Sequence, residues 1–311
     1  MKKKNILIGV ISLFVMPLFL LAQNTPQPQD QANANNSGKV YNDGTIDYAS
    51  STVSFTIAGE DTLSAVKSIM YKIDNGEYAE YKSPITIKDE GEHIIYYYSI
   101  DNVGNKSPES SYKVYIDNTA PDVMLVPSVK LFKNGDNNYA PLSCEYTLLA
   151  SDNGAGVSKI EYAIDNGQYQ EYNAPIKLTE GSHTIKYRAI DNVGNVSKEK
   201  TLSVIVDNKA PDIKIIPSGK FFEKDGKNYA PQNFQYQIEA TDTDSDVAKV
   251  LISIDNGNYV VYEGPITFNK EGEHTIKAKA IDNVGNTSNE VDLTFILDKT
   301  PPKVELNPAQ K

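Results

Sequence analysis

The sequence predicts an all-β chain of three tandem sandwich domains, and three observations carry that prediction. First, one block recurs three times: IDNGEYAEYKSPITIKDEGEHIIYYYSIDNVGN from Ile73, IDNGQYQEYNAPIKLTEGSHTIKYRAIDNVGN from Ile164 and IDNGNYVVYEGPITFNKEGEHTIKAKAIDNVGN from Ile254. Asp74, Asp165 and Asp255 stand 91 and 90 residues apart, a step too long for a solenoid unit and suited to a small domain. Second, short runs alternate apolar and polar residues: Val53, Phe55 and Ile57; Cys144, Tyr146 and Leu148; Phe234, Tyr236 and Ile238. A period of two marks a strand with one buried face. Third, helical periodicity is absent outside the N-terminal apolar segment. About seven short antiparallel strands per copy is the arithmetic of an immunoglobulin-like sandwich.

Within each copy the elements follow in order. Tyr48-Ala49, Tyr139-Ala140 and Tyr229-Ala230 open the domains at the shared step. The alternating strand comes next, followed by a loop that differs between copies: GEDTLSA at 59–65, SDNGAGV at 151–157 and TDTDSDV at 241–247. The strand carrying Ile160 and Ile164 runs into Asp165-Asn166-Gly167, where a tight primed turn needs positive φ that Asn and Gly supply cheaply. Tyr169 and Tyr172 return, and Pro175-Ile176 suggests a strand edge or a switch between sheets. After the Glu180-Gly181 turn, His183, Ile185, Tyr187 and Ala189 share one face, Asp191–Asn195 turns again, and Leu202, Val204 and Val206 point inward.

Domain boundaries fall at 38–118, 119–208 and 209–299, with 300–311 as a C-terminal strand or tail. The joints repeat too, as Asp117-Asn-Thr-Ala-Pro121, Asp207-Asn-Lys-Ala-Pro211 and Asp298-Lys-Thr-Pro-Pro302. Each proline stiffens a short connection, so a semi-rigid rod is expected. The ends do not match: the first domain lacks an opening strand like Val123–Val126, and Val304-Glu305-Leu306 is a spare one. The spare strand is expected to pack on the third domain; the alternative is head-to-tail self-association, with the strand added to the open edge of a neighbour's first domain.

The first 22 residues read as a signal peptide: Lys2–Lys4, an apolar run from Ile6 to Leu21, and a cleavage position after Ala22. Pro17 inside the run and the small residue at its end favour cleavage over a retained membrane anchor. Residues 23–37, rich in Gln, Asn and Pro, read as a disordered tether. The formal charge of −11 becomes −14 without the three leader lysines, and an acidic chain repels phosphate backbones, so nucleic acid is not an expected partner. Cys144 is the only cysteine, which excludes an intramolecular disulfide, and its counterparts Val53 and Phe234 mark it as a buried apolar position.

Catalysis finds little support, and no enzyme activity, cofactor or metal is expected. The only histidines, His93, His183 and His274, occupy one repeated position and read as a structural corner. Gly154-Ala155-Gly156 has no helix after it to hold a phosphate. Asp242, Asp244 and Asp246 alternate like hard-oxygen ligands but lack the glycine and glutamate of a helix-loop-helix site. A solvated acidic loop is the favoured reading, with Ca²⁺ at a domain joint the alternative. Asp101, Asp191 and Asp282 are expected to bond their own turns.

One asymmetry looks like recognition. On the strand after His93, the face opposite Ile95 and Tyr97 carries Ile94, Tyr96 and Tyr98, where the other copies have Thr184, Lys186, Arg188 and Thr275, Lys277, Lys279. Tyr115 on the adjacent strand is expected to face the same way. Ten of the twenty tyrosines lie between Tyr41 and Tyr115. An exposed aromatic face is what protein-binding surfaces favour, which makes Ile94, Tyr96, Tyr98 and Tyr115 the candidate binding residues.

The pattern Y-x-I-D-N-G-x-Y-x-x-Y-x-x-P-I, then E-G-x-H-x-I-x-Y-x-x-I-D-N-V-G-N, resembles the bacterial Ig-like repeat of leptospiral outer-membrane and surface proteins across residues 40–300. Related modules accompany some extracellular carbohydrate-active enzymes. The third copy departs at Ala278, where the others have Tyr97 and Tyr187. The resemblance implies surface exposure and adhesion to host extracellular-matrix proteins such as elastin. A membrane barrel does not fit, because its strands need about 9–11 residues and a lipid-facing belt. The resulting expectation is an exported binding protein at the outer membrane, cell surface or extracellular space. The alternatives are a carbohydrate-binding or enzyme-accessory module stacking sugars on Tyr169 and Tyr172, or a periplasmic spacer.

Overall fold

The computed structural model describes residues 20–23 and 38–306, and among these residues every regular element is a strand. The first nine are β1 (Leu20–Gln23), β2 (Val40–Asn42), β3 (Asp47–Ala49), β4 (Ser54–Ile57), β5 (Val66–Ile73), β6 (Ala79–Glu80), β7 (Ile85–Thr86), β8 (Gly91–Asp101) and β9 (Ser110–Ile116). The next nine are β10 (Asp122–Pro127), β11 (Phe132–Asn134), β12 (Asn137–Pro141), β13 (Glu145–Ser151), β14 (Val157–Ile164), β15 (Gln170–Glu171), β16 (Ile176–Lys177), β17 (Gly181–Asp191) and β18 (Lys200–Asp207). The last nine are β19 (Asp212–Pro217), β20 (Phe222–Lys224), β21 (Lys227–Ala230), β22 (Gln235–Thr241), β23 (Val247–Ile254), β24 (Val260–Val261), β25 (Ile266–Thr267), β26 (Gly272–Asp282) and β27 (Val291–Leu297).

Each set builds one sandwich from a six-stranded and a three-stranded sheet. In the second domain the orders are β11-β12-β18-β17-β14-β15 and β10-β13-β16, and the other two domains repeat them position for position. The chain changes sheet between β15 and β16, where Pro175 stands, as the sequence predicts. One expectation is corrected: the pairing is not wholly antiparallel. β3 runs parallel to β9, β12 to β18 and β21 to β27, because the chain crosses from the small sheet to an edge hairpin of the large one, whose inner strand lies beside the domain's last strand.

Three separate cores hold the sandwiches. Phe55, Ile95, Val114 and Ile116 centre the first, Tyr146, Ile185 and Val204 the second, and Tyr236, Ile276 and Phe295 the third. Burying each such side chain contributes about 1.5–3 kcal/mol, which a 90-residue sandwich needs in the absence of a disulfide. Cys144 is buried in the second core, as its alignment with Val53 implies.

The Asp-Asn-Gly turn obeys different stereochemistry from that expected. The positive φ falls on Asp165 at 56°, not on Gly167, whose N–H instead bonds the Ile164 carbonyl at 2.9 Å. A Cβ on Gly167 would sit 3.0 Å from that carbonyl oxygen, so the glycine is selected by a close approach. Gly194, by contrast, does require its conformation, with φ of 99°.

Both ends differ from expectation. The edge of β4 pairs with β1, Leu20 opposite Ile57 through Gln23 opposite Ser54. This strand spans the cleavage position expected after Ala22 and stands where β10 and β19 stand in the later domains. The tether lies outside the described residues apart from Gln23. At the other end, residues 301–306 form no strand on the third domain, and Val304 and Leu306 are 91% and 98% exposed. The place they would take is already filled, because β19 pairs with β22 from Tyr236 to Thr241.

Candidate functional site

The outer face of the first domain's large sheet gathers the tyrosines, and pairing register explains how. Tyr41 lies opposite Tyr48 across β2 and β3, and Tyr48 lies opposite Tyr115 across β3 and β9. Their rings follow at centroid spacings of 6.3 and 5.6 Å, each pair contributing about 0.5–1.5 kcal/mol beyond burial. On β8, Ile94, Tyr96 and Tyr98 alternate with buried Ile95 and Tyr97. Tyr115 pairs with Glu92 of the same alternation, so all four sequence-predicted residues share one face.

They are half-buried rather than exposed, for a local reason. Tyr98 meets Tyr78 edge-on at 5.0 Å and carries the Lys106 ammonium 3.5 Å above its ring centroid. Lys72 sits 4.9 Å from the Tyr96 centroid and 5.2 Å from that of Tyr78. Lys72 of β5 and Lys106 of the β8–β9 connection thus lie over the rings. Tyr78 donates to Glu109, and that bond with some burial pushes its phenol up to about 12. An ion pair, Lys113 to Glu92 at 2.6 Å, separates the Tyr41–Tyr48–Tyr115 ladder from Tyr96 and Tyr98. The face is therefore two aromatic patches with a polar seam.

Tyr41, Tyr48 and Tyr78 escape a reading of single strands. Their signal is the hydrogen-bond register, which the sequence only hints at through the repeated Tyr-Ala step.

In the later domains the places of Tyr96 and Tyr98 are charged, whereas the Tyr41–Tyr48 pair is matched by Phe132–Tyr139 and Phe222–Tyr229, with centroids 6.1 and 6.3 Å apart. Arg188 stacks 4.1 Å from the Tyr169 centroid and bonds Glu161, and Lys279 lies 4.4 Å from the Tyr259 centroid. Tyr169 and Tyr172 do not form a stacking pair. Tyr169 lies under Arg188 on the outer face, while Tyr172 packs against the second core with Tyr162.

The three histidines adopt one arrangement. His93 Nδ1 faces Asp74 Oδ2 at 2.8 Å and Nε2 faces the Asp89 carbonyl at 2.9 Å; His183 and His274 repeat this with Asp165 and Thr179, and with Asp255 and Lys270. Burial pulls His93 down, but its bonds to Asp74 and the Asp89 carbonyl prevail and raise it above the usual value. A corner that ties the turn after β5 to the start of β8 accounts for the residue.

A second constellation lies at the joints. Asp117, Asp152 and Asp191 place one carboxylate oxygen each within 4.8 Å of one another, and Asp207, Asp242 and Asp282 do the same one domain later. In each, the first acid comes from the end of the preceding domain, the second from the variable loop, and the third from the Asp-Asn-Val-Gly-Asn turn. Asp117 and Asp207 are fully buried, and Asp191 and Asp282 are each 2% exposed. Burial, followed by repulsion from Asp152 and Asp191, holds Asp117 above the usual carboxylate range; burial, with the charges of Asp207 and Asp282, does the same to Asp242. Asp191 Oδ1 also accepts from Val193, Gly194 and Asn195, the turn bonding the sequence predicts.

The Asp242-Asp244-Asp246 run does not converge. Only Asp242 joins the cluster; Asp244 pairs with Lys209 at 3.1 Å, and Asp246 accepts from Asn134 at 2.8 Å. The sequence signal for the true cluster is the 90-residue step from Asp117, Asp152 and Asp191 to Asp207, Asp242 and, after 91, Asp282.

No family model and no curated protein matches this chain. Solved structures similar to it include the fibronectin(III)-like modules of Clostridium thermocellum CbhA, at 18% identity over 50% of this chain and 84% of that one, with a TM-score of 0.30. A 1.5-MDa bacterial ice-binding adhesin matches at 12% identity over 79% and 90%, with a TM-score of 0.34. Drosophila N-cadherin EC1-3 matches at 13% identity over 78% and 91%, with a TM-score of 0.23. The likeness is one of fold alone.

Proposed function

We propose that this chain is an exported, non-enzymatic binding protein of the leptospiral Ig-like repeat type, whose first domain docks a host extracellular-matrix protein such as elastin. The observation that carries the proposal is the contrast between equivalent faces. Tyr96 and Tyr98 stand on the first domain's outer sheet beside the Tyr41–Tyr48–Tyr115 ladder, whereas Lys186 with Arg188, and Lys277 with Lys279, take the places of Tyr96 and Tyr98 later. Tyrosine supplies large contact area at low conformational-entropy cost, and an apolar surface with a polar seam suits a protein partner.

Binding of the full chain to immobilised elastin and other matrix proteins is the test. The double substitution Tyr96→Lys, Tyr98→Lys keeps the strand alternation but removes the aromatic patch. A loss of tenfold or more, about 1.4 kcal/mol, is expected. Undiminished binding by the double variant rejects the face, and no binding by the unaltered chain to any matrix protein rejects the function.

A further inference from the structure

We propose that each domain joint binds one divalent cation of the calcium type, through Asp117, Asp152 and Asp191 at the first joint and Asp207, Asp242 and Asp282 at the second. The inference is independent of the matrix-binding face.

Spacing comes first. Calcium holds oxygen ligands at about 2.3–2.6 Å, so two ligands of one ion stand no more than about 5 Å apart. The three carboxylate oxygens of each cluster lie within 4.8 Å of one another. Charge comes next. Three acids meet at each joint, and among the described residues no lysine or arginine ion pair reaches any of the six; Lys209, the nearby cation, pairs with Asp244 and Glu180 instead. Enclosed like charges of this kind are costly unless a cation joins them.

Two orphaned oxygens point to a ligand independently of the acids' spacing. Asp152 turns Oδ1 to the N–H groups of Gly154 and Gly156, at 3.0 and 2.8 Å. That leaves Oδ2 for the cluster, where it is enclosed and receives no donor. At the second joint Ser245 is fully buried, its N–H bonds both Asp207 and Asp242, and its hydroxyl has no partner. Unpartnered enclosed oxygens are rare and call for a bound ion or water. A hard cation is the group that three carboxylates can share, with a hydroxyl beside them at the second joint.

The donor set selects the ion. It contains oxygen only, without the His or Cys that softer metals take. Magnesium keeps several waters in a strict octahedron, which a joint walled by buried Asp117 and Asp191 does not favour; calcium tolerates an irregular oxygen shell. Because the ligands come from both neighbouring domains, the ion fastens them.

The full chain, stripped with a chelator, is titrated with CaCl2 by calorimetry and its melting followed with and without Ca²⁺. Two ions per chain and a rise in Tm of about 10 °C at a hundredfold excess over Kd are expected. Asp152→Asn and Asp242→Asn each retain the oxygen that accepts the loop N–H groups, so both fold, confirmed by circular dichroism. Each should bind one ion, and the double variant none. A null titration of the unaltered chain, a response undiminished in the double variant, or an equal response to Mg²⁺ overturns the proposal.

Discussion

Asp117 Oδ2 accepts a hydrogen bond from the Ala155 N–H at 2.6 Å, which ties the end of the first domain to a loop of the second. The second joint repeats it, Ser245 N–H to Asp207 Oδ2 at 3.2 Å. Asn195 and Asn286 complete the joints by donating to the carbonyls of Asp117 and Asp207, at 3.0 and 3.1 Å. The repeated Asp-Asn-Val-Gly-Asn turn thus serves as both a turn and a domain fastener.

Asn195→Ala should therefore weaken the joint more than its surface position suggests. The side chain also donates to Asp191 Oδ2 at 2.6 Å, so its loss leaves a carbonyl and a buried carboxylate short of a donor. A cost of about 1–3 kcal/mol is expected in urea unfolding of the full chain, with faster proteolysis near residue 118. Unchanged stability and protease resistance would show that the joint does not depend on this bond.

Gly154→Ala tests the same joint by steric means. The backbone of Gly154 is not in the left-handed region, yet a Cβ there would run into the Asp117 carboxylate. The loop or the acid must shift, at about 1–3 kcal/mol. The equivalent loop position holds Asp244, so the second joint already seats a side chain there. Ala at 154 should lower the melting temperature, while Asp244→Ala should cost less than 1 kcal/mol, as expected for its exposed pair with Lys209.

The cores allow a stabilising change. Tyr146 and Tyr236 are 0% and 1% exposed, and neither hydroxyl finds a partner. The first domain places Phe55 at the equivalent position, also fully buried. Tyr146→Phe and Tyr236→Phe should each raise stability, by about 1 kcal/mol, since removing an orphaned hydroxyl keeps the ring packing. A loss of stability in either variant would mean that the hydroxyl is bonded after all.

The sandwich and its repeat were legible because they depend on local rules. Alternation in Val53–Ile57, turn residues at Asp191–Asn195 and apolar matches to Cys144 each report on a few neighbouring residues. The joint clusters depend on three segments far apart in sequence, with Asp117 and Asp191 separated by 74 positions. An aspartate in a turn looks alike whether or not it also meets two others, so Asp191 read correctly as a turn residue and its second role stayed hidden. The aromatic face was half legible: alternation along β8 sorted Ile94, Tyr96 and Tyr98 from Ile95 and Tyr97, and Tyr115 followed. Tyr41 and Tyr48 depend on the parallel pairing of β3 with β9, which alternation along a single strand does not report.

The His93 corner should make stability fall at alkaline pH. Its folded pKa is raised, so its contribution is complete below the unfolded value of about 6.5 and is lost as pH climbs through the folded value. Asp74 moves the other way: burial raises it, but bonds from the Ile94 N–H and His93 prevail and lower it. Its contribution is present above about 3.8 and disappears as pH falls through the depressed value. Urea unfolding at pH 6 and pH 8.5 should show the loss in the unaltered chain and a smaller one in His93→Gln. Equal pH dependence in both would remove His93 as its source.

Moving the aromatic patch to the second domain gives the strongest test of the binding face. Lys186 and Arg188 occupy the places of Tyr96 and Tyr98 on β17, opposite Ala163 and Glu161 of β14. Arg188 bonds Glu161 at 2.9 and 3.0 Å, yet Glu161 keeps Lys159 at 2.6 Å when the arginine is replaced, so its carboxylate is not left unpaired. The strand should accept Lys186→Tyr with Arg188→Tyr, and Tyr169, no longer under Arg188, would stand where Tyr78 stands in the first domain. In a chain already carrying Tyr96→Lys and Tyr98→Lys, the pair should recover about tenfold of the lost affinity for immobilised matrix protein. Recovery would locate recognition in the aromatic rows rather than in the loops. A folded chain that regains nothing would place it in the Tyr41–Tyr48–Tyr115 ladder, which the second domain replaces with Phe132, Tyr139 and Ile205.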